Sequence, residues 1–204
     1  MYLPRQFDHP EHAPTLMREH PFASLVSNDD DGFPFVTHLP LHLVEGEAGA
    51  PWRLLGHCAR GNPLWGYLQK RPWALASFMG PHAYMSPKVY ADQQRVPTWS
   101  YLAVQAKVEA RLLEGDAAKD ALLKQLIADH EAAYADQWRS LPEDYTHKML
   151  NAIVAFELRI VDLQCAVKLN QHRPEAHAAM YAAYEADSEQ EQALAVWMRK
   201  LGLV

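Results

Sequence analysis

The 204-residue chain is 49% hydrophobic and 22% charged, a balance that excludes disordered and fibrous classes and permits one well-cored domain. A formal net charge of −6 supplies no global basic field for a phosphodiester backbone, so nucleic-acid binding would need a local patch. Cys58 and Cys165 make neither a zinc spacing nor a disulfide framework, and no leader or run of about 20 apolar residues is legible; a cytoplasmic protein is expected.

In chain order, Leu16 and Met17 among charged neighbours suggest a short helix within residues 11–20. Phe22 to Ser27, the turn Asn28-Asp-Asp-Asp-Gly32 and Phe33 to Val44 read as a β-hairpin. Alternation along its second arm would set Val36, His38 and His42 on one face, against Phe35, Thr37, Leu39, Leu41 and Leu43 on the other. Pro40 marks an edge, a bulge or a break, because proline cannot donate to a ladder. Trp52 to Cys58 is a third strand, and Asn62-Pro63 starts a helix with a side-chain acceptor at the cap. Free N–H groups at that start, with Arg60 and His57 beside them, suit an anion.

Trp73 to Met79 is the next strand, and it leads into Gly80-Pro-His-Ala-Tyr-Met-Ser-Pro-Lys-Val-Tyr90 and Val96-Pro-Thr-Trp-Ser-Tyr101. Two prolines within the first of these, and rings that need polar partners when buried, point to a rigid aromatic wall in place of a regular element. Leu102 to Leu112 alternates as a long half-buried strand, and Asp116 can cap a helix running to about Tyr134. Beyond Pro142 come a short helix at Glu143 to Asn151, a strand at Ile153 to Leu163, and helices from about Pro174 and from Ser188, the last opened by the capping box Ser188-Glu-Gln-Glu191. About six strands with few intervening helices imply an α+β, mainly antiparallel β protein: a barrel or sandwich with helical appendages.

The eleven histidines carry no zinc-type spacing in the β half, and two of them on one straight strand four residues apart would stand about 13 Å apart, so no metal is expected. Ser86 and Ser100 lie in no nucleophile elbow, and phosphate loops of the Walker and Gly-x-Gly-x-x-Gly types are absent. Singly, Trp65, Tyr84, Tyr90, Trp99 and Tyr101 suit a core or an interface. Together with Thr37, His38, His57, Arg60, Asn62 and His82 they suit a phosphorylated, flat heteroaromatic such as FMN, with cations for the phosphate and rings for the plane. Lys168, Gln171 and Arg173 follow the last strand in a short turn and can act as a polar clamp on the same pocket or on that of a partner subunit.

Several motifs in order resemble those of the PaiB family: Met1-Tyr-Leu-Pro4, Thr37-His-Leu-Pro40, Gly56-His-Cys-Ala-Arg-Gly-Asn-Pro-Leu-Trp65, Gly80-Pro-His-Ala-Tyr-Met-Ser-Pro87, Val96-Pro-Thr-Trp-Ser-Tyr101 and Lys168-Leu-Asn-Gln-His-Arg173. The last departs from the usual Lys-Leu-Ser-Gln-Asn-Arg at Asn170 and His172. The resemblance implies an FMN-binding split β-barrel spanning residues 1–170 with inserted helices, and a helical extension, 171–204, packed on it. It also implies a homodimer with flavin sites near the subunit interface, and it carries the label of transcriptional regulator. Two other readings stand beside the flavin one: a negative regulator acting directly or indirectly on gene expression, and a barrel that binds another planar ligand such as heme, or none. The reaction is left open; an enzyme of this kind would be an FMN-dependent oxidoreductase.

Overall fold

The computed structural model describes residues 1–92 and 94–204. Seven antiparallel strands form one sheet in the order β2-β1-β5-β6-β7-β4-β3: β1 Phe22–Asn28, β2 Pro34–Pro40, β3 His42–Val44, β4 Arg53–Ala59, β5 Trp73–Met85, β6 Thr98–Leu113 and β7 Ile153–Lys168. Three long strands, β5, β6 and β7, each contribute to two compact units. The first unit comprises Met1–His20, Phe78–Gln105 and Gln164–Val204; the second comprises Pro21–Ser77 and Ala106–Leu163. Among the described residues no helix is long and apolar enough to cross a membrane.

In the second unit, β1 and β2 pair from Phe22 opposite Pro40 to Asn28 opposite Pro34. Their turn closes because Asp29 Oδ1 accepts from the backbone of Asp31 and Phe33, at 3.0 and 2.9 Å, while Gly32 takes φ 87°, a region open to glycine at no steric cost. The expected second arm divides. Pro40 ends β2, Leu41 N–H donates to Pro21 O at 2.9 Å, and the chain resumes as β3, at the other end of the strand order. His38 and His42 therefore share no strand, which corrects the expectation of a common face. Leu41 and Phe156 pack so closely over β4 that a Cβ on Gly56 would stand 2.7 and 3.0 Å from their side chains. A side chain at that position would force the core apart.

This unit also holds α2 Leu64–Lys70, α3 Asp116–His130, α4 Ala135–Ser140 and α5 Glu143–Asn151. Asp116 is the first helical residue rather than the cap, which is Gly115, and its carboxylate meets His147. The buried Lys119 ammonium finds an acceptor in Leu150 O, at 2.8 Å, as a cation removed from water must.

In the first unit much of the supposed wall is strand: Gly80 to Met85 lie in β5 and Thr98 to Tyr101 in β6, with a 3₁₀ turn at Pro87–Val89 between them. Pro81, Ala83 and Met85 are buried while His82 and Tyr84 face out, so β5 simply continues with the period of two that strands impose. Its polar aromatics occupy the outward positions, which removes the objection to a strand. Gly80 lets Leu16 and Leu102 approach: a Cβ there would lie 3.2 Å from Leu102 O and Leu16 Cδ2. Helices α1 Ala13–Glu19, α6 His177–Glu185 and α7 Glu189–Lys200 complete this core with Leu16, Met17, Met180, Leu194 and Met198. The capping box is present at Ser188 and Glu191. Tyr184, buried on α6, donates to Ser100 Oγ on β6 at 2.8 Å, satisfying a phenol that burial would otherwise penalise.

Candidate functional site

The last residue of β7, the turn after it and the segment leading into β6 enclose a cavity of about 390 Å³ in the first unit. Its wall carries Arg95, Lys168 and Arg173 and no carboxylate. Lys168 Nζ donates to Thr98 Oγ1 at 2.7 Å and to Trp99 O at 2.9 Å. Burial pushes its pKa down from the ordinary lysine value, because desolvation penalises the charged form. An anion in the cavity would reverse that penalty.

Asn170 shapes the turn. It is the described non-glycine residue with a left-handed backbone, φ 61°, a conformation that asparagine adopts more readily than most residues. Its Oδ1 accepts from Tyr90 O–H at 3.2 Å and its carbonyl lies 3.0 Å from His177 Nε2. Its Nδ2 is buried without a partner, and so is Arg95 Nε. Two buried donors left unpaired in one wall are uncommon in folded proteins. Elsewhere Arg95 is engaged, stacked over the Tyr90 ring at 4.8 Å, paired with Asp92 at 2.8 Å and 3.8 Å from Glu175, whose carboxylate also stands 3.9 Å from Arg173.

Of the residues expected from sequence, Trp99, Lys168 and Arg173 line this cavity. His82, Tyr84, Tyr101 and Gln171 belong to the same unit but not to the lining. Trp99 stands 6.4 Å from both the His82 and Tyr84 rings, and the three form an outward patch in which Tyr84 and Trp99 are 50% and 54% exposed. The Tyr101 ring lies 5.7 Å from Lys168 Nζ. Gln171 closes its own turn, accepting from Leu169 N–H and donating to Val167 O. Tyr90, read from the sequence as one ring of the set, also lines the cavity, and so do Arg95, Thr98 and Asn170, which the sequence did not single out as ligand residues. The available signal was Arg95 within a polar insert flanked by Tyr90 and Pro97.

The remaining expected residues lie in the second unit. Arg60, Asn62 and Trp65 line a cavity of about 330 Å³ there. Its donors are largely spent. Arg60 Nε and Nη2 donate to Asn151 O at 2.6 Å and Ile153 O at 3.2 Å, the Arg60 backbone N–H to Ala152 O, and Asn62 Oδ1 already accepts from Leu64 N–H at 2.9 Å. Trp65 Nε1 donates to Arg60 O, and Asn62 Nδ2 to Thr37 Oγ1. His38 Nδ1 meets Ser24 Oγ at 3.0 Å. His57 keeps a buried, unpartnered Nδ1, and burial first and the His42 charge second lower its pKa. A larger cavity of about 720 Å³ among α3, α4 and α5 is lined by Asp116, Asp120, Glu143 and Asp144 against Lys124 and Arg139, the wrong sign for an anion.

The family described as "Putative FMN-binding domain" matches residues 1–162. "Protease synthase and sporulation protein PAI 2" of Bacillus subtilis (strain 168) is 33% identical over 182 residues, covering 86% of this chain and 84% of that protein. The chain belongs to the PaiB family. Among solved structures the fold is similar to that of the flavocytochrome Anf3 from Azotobacter vinelandii, with TM-score 0.63 and 17% identity over 82% of this chain and 73% of that one. It is also similar to that of the FAD and heme binding protein from Mycobacterium smegmatis, with TM-score 0.58 and 18% identity over 78% and 70%. These likenesses establish the split-barrel fold, and the PaiB motifs in the sequence are those of the family to which the chain belongs.

Proposed function

We propose that the protein binds FMN and that the cavity of the first unit receives its phosphate end. The observation that carries this is the pair of buried, unpartnered donors, Asn170 Nδ2 and Arg95 Nε, in a wall that presents three cations and no carboxylate. An acceptor-rich anion suits such donors and cations, in competition with Asp92 and Glu175 beside the two arginines. Membership of the family described as "Putative FMN-binding domain" supports FMN as that anion. Lys168, Arg95 and Arg173 would hold the phosphate, Asn170 would donate to an oxygen, and Trp99 would offer a ring to the flavin plane. When bound, FMN supplies the electron-transfer chemistry, and the residues of this chain bind and orient it. In this reading Thr37, His57, Arg60, Asn62 and Trp65 chiefly hold the second unit together.

The exposed patch of Tyr84 and Trp99, with Val96 and Met79 also exposed in the first unit, supports a homodimer in which a second copy covers these rings. Two buried free cysteines suit a reducing, cytoplasmic setting. A regulatory role through direct DNA contact takes second place, because the net charge is −6, Arg199 is paired with Glu185 and Lys200 lies over Trp197. The test is a titration of purified protein with FMN, followed by absorbance and flavin fluorescence, beside riboflavin. Tight FMN binding with weaker riboflavin binding supports the reading; no binding of either overturns it.

A further inference from the structure

A second cluster in the first unit lies outside this cavity. We propose that His9, Glu11 and His12 form a binding site for a divalent transition-metal ion of the zinc type. One ring nitrogen from each histidine and one carboxylate oxygen all lie within 4.8 Å of one another. His9 Nδ1 is 3.1 Å and His12 Nε2 4.0 Å from Glu11 Oε1. Ligand atoms at about 2.0–2.1 Å from a tetrahedral ion stand about 3.4 Å apart, so small side-chain rotations close the set around one ion. Two imidazoles and a carboxylate suit zinc and its neighbours; magnesium and calcium prefer all-oxygen shells.

The segment is short and tied down. Pro10 fixes the backbone at the start of a 3₁₀ turn, Pro10–His12. His9 N–H donates to Cys165 O at 2.9 Å, anchoring the turn to β7, and His12 N–H donates to His9 O at 3.0 Å. The His12 ring meets the edge of Trp197 on α7, with centroids 5.3 Å apart and planes at 82°. Both imidazoles are thus partly covered, at 27% and 21% side-chain exposure, while Glu11 is 61% exposed.

Two contacts oppose the ion. Lys200, whose ammonium lies 4.0 Å from the Trp197 ring centroid, adds a like charge felt by His12. Coordination through His9 Nδ1 places the ring proton on Nε2, which faces Gln171 Nε2 at 3.5 Å, so that contact must loosen. Three protein ligands leave a fourth position for water, and the site is expected to exchange its ion more readily than a closed four-ligand site. Gln6 and Phe7 of the cavity wall lie a few residues before His9, so a bound ion would also steady that segment.

The experiment uses the full chain stripped with a chelator and titrated with Zn²⁺ by calorimetry, and with Co²⁺ as a spectroscopic stand-in. Expected are one ion per chain, ligand-field absorption of the Co²⁺ form, and a thermal midpoint that rises with added Zn²⁺. Glu11→Gln, at an exposed position that leaves folding intact, should weaken binding by about 10-fold or more; His9→Ala with His12→Ala should abolish it. Absence of binding overturns the proposal. So does one-ion binding unchanged in Glu11→Gln and in the double variant, which would assign the ion to other histidines. No readout involves flavin, so the result stands apart from the FMN reading.

Discussion

Replacing Lys168 with methionine removes one charge from the cavity wall while keeping most of the side chain's volume. Two of the three ammonium donors are used within the protein, on Thr98 Oγ1 and Trp99 O, which leaves one for a ligand. A hydrogen bond between charged partners is worth about 1.5–3 kcal/mol, so FMN affinity should fall by about 10- to 150-fold. Riboflavin has no phosphate, and its affinity should stay within about twofold, a difference of about 0.4 kcal/mol. Stability should change by less than about 2 kcal/mol, since two modest hydrogen bonds are lost while an unfavourably buried cation disappears. Calorimetric titration of both variants with both ligands, beside a urea melt of each, measures all of these. Equal losses for FMN and riboflavin, or no loss for either, would refute the assignment of Lys168 to the phosphate.

Trp99→Ala should lower both the dimer fraction and the FMN affinity, measured by light scattering and titration; a variant that stays dimeric with unchanged affinity places the ring in neither role. His57 is held neutral by burial, with a pKa below its ordinary value, so the unfolded chain binds that proton more tightly. Stability is then fully present above about pH 6.5, falls as the pH drops through that value, and levels off below the folded pKa. His57→Gln should flatten the decline of the thermal midpoint between about pH 7 and pH 5; an unchanged slope would point to His42 or His20 instead. Neither cysteine should react with a thiol reagent in the folded protein, since burial raises both pKa values, that of Cys165 to about 12; fast labelling without urea would contradict their burial. Asn170→Gly should tolerate φ 61° while losing the Tyr90 bond, and Asn170→Ala should cost about 1–2 kcal/mol more than Gly because alanine disfavours that backbone; equal stabilities would show that the conformation is not enforced.

Local pattern determined a good deal of this protein. The hairpin turn at Asp29 to Gly32, the helix Glu143–Asn151 and the Ser188 capping box are set by interactions between residues close in the chain, and the alternation from Leu102 onward is a contiguous pattern, so reading neighbours suffices. The PaiB motifs were legible for the same reason, as contiguous runs. Tertiary structure alone decided the rest. Pro40 divides one apolar run into strands at opposite ends of the sheet order, because only the sheet can say where a chain freed from its ladder pairs next. Gly80 to Met85 looked irregular from its prolines and rings, yet it is strand, since the faces that receive Pro81 and expose Tyr84 come from distant segments. The anion-suited corner at Arg60 has its donors taken by the carbonyls of Asn151 to Ile153. The two unpaired donors in the wall of the first unit's cavity belong to Arg95 and Asn170, 75 residues apart in sequence, and whether a buried donor has a partner is a property of three-dimensional packing that no local pattern records.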